Sequence, residues 1–279
     1  MNVTYFGTTT LLFDDGIDQL LFDCHVTRPS LFQYLFGTLS TDRRIADRVI
    51  AEYQIHRLRG IFISHSHHDH VLDAPYFANQ CRSHLYGSPS ALNVARGCSV
   101  PEDRLHSFQD QMEYQIGDFT VNVLSSIHSK AHWYNDDLGQ TIDQPLQQPS
   151  KRKAFKEGGS FDFFLTHREK HYLIRPSYNF LEGQLDGLDT DVLFLGIGGL
   201  SRDSKERQGK FFSETIDKTH PSLVIPLHWD NFFLPLYGEI RGLPKIAENT
   251  EKSLSILMDE CGKRNIRCVV EQPLKSLDV

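Results

Sequence analysis

The stretch IFISHSHHDH, Ile61–His70, sets four histidines and one aspartate among its last six residues, directly behind the apolar run Ile61-Phe62-Ile63. In an extended segment, side chains two apart point to the same side. His65 and His67 are therefore expected to present two imidazoles to one point just beyond a strand. Asp69 and His70, after the chain turns, face a second point a few ångströms away. Imidazole and carboxylate together suit a borderline divalent ion, Zn²⁺ above all.

Such a site needs donors from elsewhere in the chain. His128 closes the apolar segment VNVLSSIH and His228 closes SLVIPLH. Both repeat the pattern of the first cluster, an apolar strand with histidine at its exit. His68 lies between two candidate ligands and is expected to face away from them, as a supporting or surface residue. His25, His56, His84, His106, His132, His167, His171 and His220 read as hydrogen-bonded core or surface residues.

The chain has 279 residues, 39% of them hydrophobic, which is enough for one large domain or two small ones around a substantial core. The formal net charge is -7, and the densest basic stretch is the loop-like SKRKAFK at 150–156. Nucleic acid is thus not expected as an electrostatically held partner, while a small-molecule substrate of either sign is. The five cysteines are odd in number and have no CxxC spacing, so they read as reduced thiols. The opening residues lack a basic region followed by a long apolar one, and no segment is apolar enough to span a bilayer. A cytoplasmic setting is expected.

Strands are expected at the start of the chain, with a turn at Asp14-Asp15-Gly16. PSLFQYLFGTLS (29–40) is aromatic and irregular, and the next residues carry Ile45, Val49, Ile50 and Tyr53 at helical spacing behind an N-cap at Ser40 or Thr41. Gly60 is expected to stop that helix before a strand at Ile61–Ser64. A helix follows through LDAPYFANQCR, then a strand at 84–86, a helix near 88–97 and strands at 111–116 and 118–125. Residues 129–159 are polar, with two prolines, and such a long loop inside a compact domain reads as a lid over the site or as a surface excursion. Strands resume at SFDFFLTH, HYLIR, DVLFLGI, SLVIPLH and IRCVVEQ, with helices near 209–218 and 250–263. No linker divides the chain, so one domain over 1–279 is expected, with a helical and aromatic insertion at about 27–59.

The run H-x-H-x-D-H, filled by His65, His67, Asp69 and His70, resembles the signature of the metallo-β-lactamase-fold superfamily. YFGTTTLLFDDGIDQLLFD resembles its opening strands, which end in an aspartate, here Asp23. DVLFLGIGG and PSLVIPLHWDNF resemble one branch, that of the ascorbate-phosphate lactonase. The resemblance implies an α+β fold, a four-layer αββα sandwich, with His65, His67 and His128 holding a first metal and Asp69, His70 and His228 a second. The family places a bridging aspartate after the strand corresponding to HYLIR. Here the chain reads Arg175-Pro176-Ser177-Tyr178-Asn179, so one or two zinc ions remain open, with manganese or iron as alternatives and Asp230 or Asp162 as substitutes for the bridge.

A bound Zn²⁺ lowers the pKa of coordinated water to roughly 7. The expected activity is metal-dependent hydrolysis of an ester, lactone, amide or phosphodiester of a small molecule, with Asp69 as a catalytic group as well as a ligand. Two other readings stay open: a degenerate member that binds a ligand without turnover, and an iron-dependent redox metalloprotein. LFQYLF (31–36) and WDNFFLPLY (229–237) are apolar for loops. They are expected to wall an apolar pocket, to receive an acyl chain, to join subunits of a homo-oligomer, or to pack as core.

Overall fold

The computed structural model of the protein describes residues 1–108, 112–130, 137–245 and 247–279. His132, the first residue of the strand expected at 111–116 and part of the expected lid lie outside the described residues.

Seven strands form the first sheet: β1 (Asn2–Gly7), β2 (Thr10–Asp14), β3 (Gln19–Phe22), β4 (Leu58–Phe62), β5 (His84–Gly87), β6 (Leu105–Ser107) and β14 (Lys275–Asp278). Their order is β14-β1-β2-β3-β4-β5-β6. The second sheet is β7 (Glu113–Ile116), β8 (Phe119–Ser126), β9 (Ser160–His167), β10 (Lys170–Arg175), β11 (Val192–Gly196), β12 (Leu223–Leu227) and β13 (Arg267–Cys268), in the order β7 to β13. Both sheets repeat one plan. Across the first, three antiparallel pairings are followed by three parallel ones, and across the second the same sequence of pairings recurs.

Period-two alternation decides which residues join the sheets. Leu11, Phe13, Leu20, Phe22 and Phe62 enter the core between the sheets, while Leu12, Leu21, Ile61 and Ile63 enter a second cluster on the outer face. Between the sheets Phe13 meets Tyr172 at 5.5 Å and Phe194 at 5.6 Å, and Phe22 meets Phe163 at 5.2 Å. Each such buried ring contributes about 2 kcal/mol relative to an exposed one. The outer face of the first sheet is covered by α2 (Arg43–Glu52), α4 (Ala74–Cys81) and α5 (Pro89–Gly97), through Ala46, Val49, Phe77, Ala78, Leu92 and Val94. On the second sheet, α6 (Lys205–Phe212) and α7 (Thr250–Lys263) add Phe211, Phe212, Leu257 and Cys261. The architecture is two packed sheets flanked by helices.

Several local expectations change. The irregular aromatic stretch contains a short helix, α1 (Leu31–Phe36), opened by Ser30 in a capping box with Gln33. The N-cap of α2 is Asp42, whose side chain accepts from the Arg44 amide, not Ser40 or Thr41. Gly60 does not stop that helix; it lies inside β4, where a Cβ would press on Ile116, Phe62 and Tyr86. The segment after DVLFLGI opens its helix at Lys205, ahead of 209, and ends in a π-helical turn, Ser213–Asp217. β14 was not expected; it returns the chain to the first sheet beside β1. No helix among the described residues is long and apolar enough to cross a membrane.

Candidate metal centre

β4 ends at Phe62, and the histidine loop is tied down at once. The Ser64 amide donates to Asp23 Oδ1 at 2.8 Å, and the Ser66 amide to the Glu157 carbonyl at 2.9 Å. The chain then turns through one helical turn, α3 (His68–Val71), for which His67 is the N-cap. His128 follows β8, and His228 follows β12 with its amide donating to the Thr8 carbonyl at 2.6 Å. Parallel strands discharge their C-terminal ends on one side of a sheet, so residues distant in sequence meet at this edge.

Two groups of donors result: His65, His67 and His128 form one, and Asp69, His70 and His228 the other, each with its donor atoms within 4.8 Å of one another. The His65 and His70 rings, 3.7 Å apart between centroids, join the two. In the second group Asp69 Oδ2 lies 3.3 Å from His228 Nε2 and 3.7 Å from His70 Nε2.

The far side of these rings is organised by groups that fix their orientation. His70 Nδ1 lies 2.7 Å from Asp23 Oδ2, which also accepts from Thr9 Oγ1 at 2.7 Å and Ser64 Oγ at 2.8 Å. His65 Nδ1 lies 3.1 Å from Ser64 Oγ, and His128 Nδ1 donates to the Ser129 carbonyl at 2.9 Å. His67 Nε2 meets the Asp137 carboxylate at 3.2 Å. A carboxylate or carbonyl behind a ligating imidazole fixes its tautomer and raises its basicity.

His65 Nε2 is buried with no hydrogen-bond partner among the described residues. A buried nitrogen left so is costly unless something else takes its lone pair. Protonation fits the same role. Burial pushes His65 well below its ordinary range, helped by His70, His128 and His67, and burial with His67 pushes His128 down to about 3. Burial would raise Asp69, yet His70 and the hydrogen bond from His228 hold it well below the usual carboxylate range. Burial opposes protonation of His228, and Asp69 outweighs it, so His228 stands above its ordinary value. His65 and His128 are thus neutral imidazoles, the state that binds metal. The donors fit a divalent ion in type, spacing and protonation.

The two groups open into a cavity of about 680 Å³. Its walls include Leu31, Tyr34 and Leu35 from α1, and Phe232 and Phe233 from the segment after His228. Tyr34 packs on His68 at 5.0 Å and on Phe233 at 5.1 Å. His68 is therefore not on the surface but in the wall, buried against Tyr34 and 5.8 Å from His25. Arg152, Lys153 and Lys156 form a cationic flank. These come from the basic stretch at 150–156, whose charge was weighed only against nucleic acid. Asp137 was missed too, because its contact with His67 spans 70 residues.

Ser177 lines the cavity, carried by the loop after β10. Gly196 at the end of β11 lets this loop pass, since a Cβ there would collide with the Pro176 carbonyl. The two carboxylates weighed as substitutes are committed elsewhere. Asp162 pairs with Arg175 at 2.9 Å and Asp230 with Arg28 at 2.6 Å, both pairs buried, and neither lines the cavity. Of the remaining histidines, His84 bonds to His106, His220 to Asp189, and His167 sits with Asp15 and Asp118 away from the cavity.

The sequence model of a family described as the metallo-beta-lactamase superfamily matches residues 33–199. Among solved structures, the chain is similar to the metallo-beta-lactamase fold protein YhfI from Bacillus subtilis, with 15% identity, a TM-score of 0.58 and 99% of each chain covered. It is also similar to a protein from Veillonella parvula described as a possible metal-dependent hydrolase (12% identity, TM-score 0.63, 100% of this chain and 99% of that one). A third is CmlA, a diiron beta-hydroxylase from Streptomyces venezuelae, with 11% identity, a TM-score of 0.62 and 100% of this chain on 54% of that one.

Proposed function

The chain belongs to the metallo-beta-lactamase superfamily, and on that premise we propose that it is a metal-dependent hydrolase of a small molecule. His65, His67 and His128 would hold one divalent ion, and Asp69, His70 and His228 a second. Zinc suits the donor set best, with manganese or iron as alternatives. The observation that carries this reading is the convergence of the two donor groups around the unpartnered, buried His65 Nε2. When bound, the ion supplies activation of water and polarisation of the substrate oxygen.

The chain's own residues do the rest. Asp69 is held in its carboxylate form beside His228 and His70, where it would accept a proton from the attacking water. Asp23, Ser64, Asp137 and the Ser129 carbonyl hold the imidazoles in orientation. Phe232, Phe233, Tyr34 and Phe155 keep water from the apolar side, while Arg152, Lys153 and Lys156 favour a substrate that carries an anionic group. An ester, lactone, amide or phosphodiester joined to both an apolar and an anionic part satisfies these walls. The lactone is supported by the likeness of DVLFLGIGG and PSLVIPLHWDNF to the lactonase branch. The described part of the 129–159 loop brings Asp137, Gln140 and Phe155 to the cavity, which supports its role as a lid. All five cysteines are unpaired, in keeping with a reducing, cytoplasmic setting.

Ser177 favours a second reading, a member that binds one ion or a ligand without turnover. The test is metal content per chain by plasma mass spectrometry, beside hydrolysis of a lactone and a phosphodiester panel. Bound ions lost in His65→Ala, together with turnover lost in Asp69→Asn, are expected. Metal without turnover on any substrate supports the second reading, and no metal at all sinks the hydrolase reading and leaves ligand binding without turnover.

A further inference from the structure

Helix α1, LFQYLF, has no buried residue. Phe32 is 72% exposed, Phe36 68%, Leu31 50% and Leu35 46%. The i and i+4 pairs Leu31/Leu35 and Phe32/Phe36 place all four on adjoining rows of one face, and the two phenyl rings touch at 5.4 Å. The helix is nevertheless firmly held. Tyr34 turns the other way into the cavity wall, with the Arg152 guanidinium 4.9 Å from its ring centre. The apolar face is therefore presented outward by a rigid mount, and through Leu31 and Leu35 it runs on into the mouth of the cavity.

A basic segment is fastened beside it. Leu39 and Ser150 exchange backbone hydrogen bonds at 2.8 and 3.0 Å, and Lys151 Nζ donates to the Phe36 carbonyl at 3.1 Å. Lys151 and Arg152 thus touch the helix, and Lys153 lines the same cavity as Leu31 and Leu35, in a chain whose net charge is -7. Among the described residues neither Lys151 nor Lys153 is in an ion pair. Exposed aromatic and aliphatic side chains rimmed by lysine and arginine match an anionic bilayer surface, apolar groups entering the acyl boundary and cations meeting the headgroups.

We infer that α1 and the 151–153 segment form a docking surface for an anionic lipid bilayer, which seats the mouth of the cavity against the membrane. This goes beyond the hydrolase reading and does not depend on it. The test is vesicle flotation of the full chain, with metal removed and with zinc added, on phosphatidylcholine alone and on phosphatidylcholine enriched in phosphatidylglycerol. Binding to the anionic vesicles, weakened by salt, is expected in both metal states. Phe32→Ser/Phe36→Ser should weaken it at least about tenfold, and Lys151→Gln/Lys153→Gln by roughly fivefold per charge removed. Phe32 and Phe36 do not line the cavity, so the unfolding midpoint should hold. A Phe32→Trp variant adds an independent signal, a blue shift of emission on anionic vesicles. Failure of the wild type to float, or unchanged binding of the double serine variant, overturns the inference. So does a dimer that the serine variant converts to monomer without any vesicle binding, since a second copy would then cover the helix.

Discussion

Asp23→Asn is the sharpest probe of how the site is held. The carboxylate is fully buried and accepts four hydrogen bonds, three of them at Oδ2 from Thr9 Oγ1, Ser64 Oγ and His70 Nδ1, and one at Oδ1 from the Ser64 amide. Asparagine has the same shape but one accepting oxygen. Keeping that oxygen on the Ser64 amide puts an NH₂ group where Oδ2 stood. The two hydroxyls can rotate to accept from it. His70 Nδ1 can do so only by giving up its hydrogen, which moves to Nε2, the atom that faces Asp69. The substitution therefore converts the proposed ligand atom of His70 from acceptor to donor. Loss of a hydrogen bond to a charged group costs about 1.5–3 kcal/mol of stability. Removing an orienting partner lowers metal affinity about 10–100-fold, or roughly 1.4–2.7 kcal/mol. Denaturant unfolding of the metal-free protein measures the first quantity and competition against a chelating dye the second. Wild-type affinity in a folded Asp23→Asn protein would refute the claim that Asp23 sets the His70 tautomer.

Other consequences follow from burial. Arg175 and Asp162 are each about 1% exposed, so Asp162→Ala should cost about 3–5 kcal/mol by stranding a buried guanidinium, while a paired Asp162→Leu/Arg175→Met change should recover much of it in a denaturant melt. The metal-free protein should lose stability as pH falls below about 6.5. His25 and His65 lie well below their ordinary values and His68 lies at about 4, so the unfolded chain takes up protons first, at most about 1.4 kcal/mol per pH unit for each group. His228 has the opposite sign: its contribution is present below 6.5 and is lost as pH rises through its raised folded value. Calorimetry across pH 4–8 should therefore show an acid limb that zinc, by binding only the folded form and only with its histidine ligands deprotonated, makes steeper, since its stabilisation is full at neutral pH and is lost on acidification.

The strand-then-histidine pattern made His65, His67, His128 and His228 visible because a strand exit is a local property, written in an apolar run and the residue after it. What supports those residues is not local. Asp23 stands out only as an aspartate ending a strand, and its hold on His70 needs two chain segments 47 residues apart to meet. Helix α1 was read as irregular because its apolar residues serve an exposed face, where the usual inward periodicity does not apply. The short edge strands β6 and β14 carry too few residues to show alternation. Gly60 was misread because its reason is a crowded neighbour across the sheet, which no local sequence reports. The sandwich itself was legible through the H-x-H-x-D-H run and the segments that resemble the superfamily, since Leu11-Leu12-Phe13 and Leu20-Leu21-Phe22 are apolar at every position and show no alternation that would assign their faces.

The repeated order of pairings in the two sheets makes the protein two copies of one plan, and the copies have divided the labour. The exit of β4 in the first copy supplies His65, His67, Asp69 and His70, whereas its counterpart, the exit of β11, carries only Ile197, Gly198 and Gly199. The exits of β8 and β12 supply His128 and His228, while their counterparts after β1 and β5 offer Thr8, Thr9 and Ser88. After β3 stands Asp23, and at the matching exit of β10 stand Pro176 and Ser177. Each half thus holds fragments of the candidate metal centre, which come together only when the other half is folded against it. A loss in one half therefore has no spare in the other.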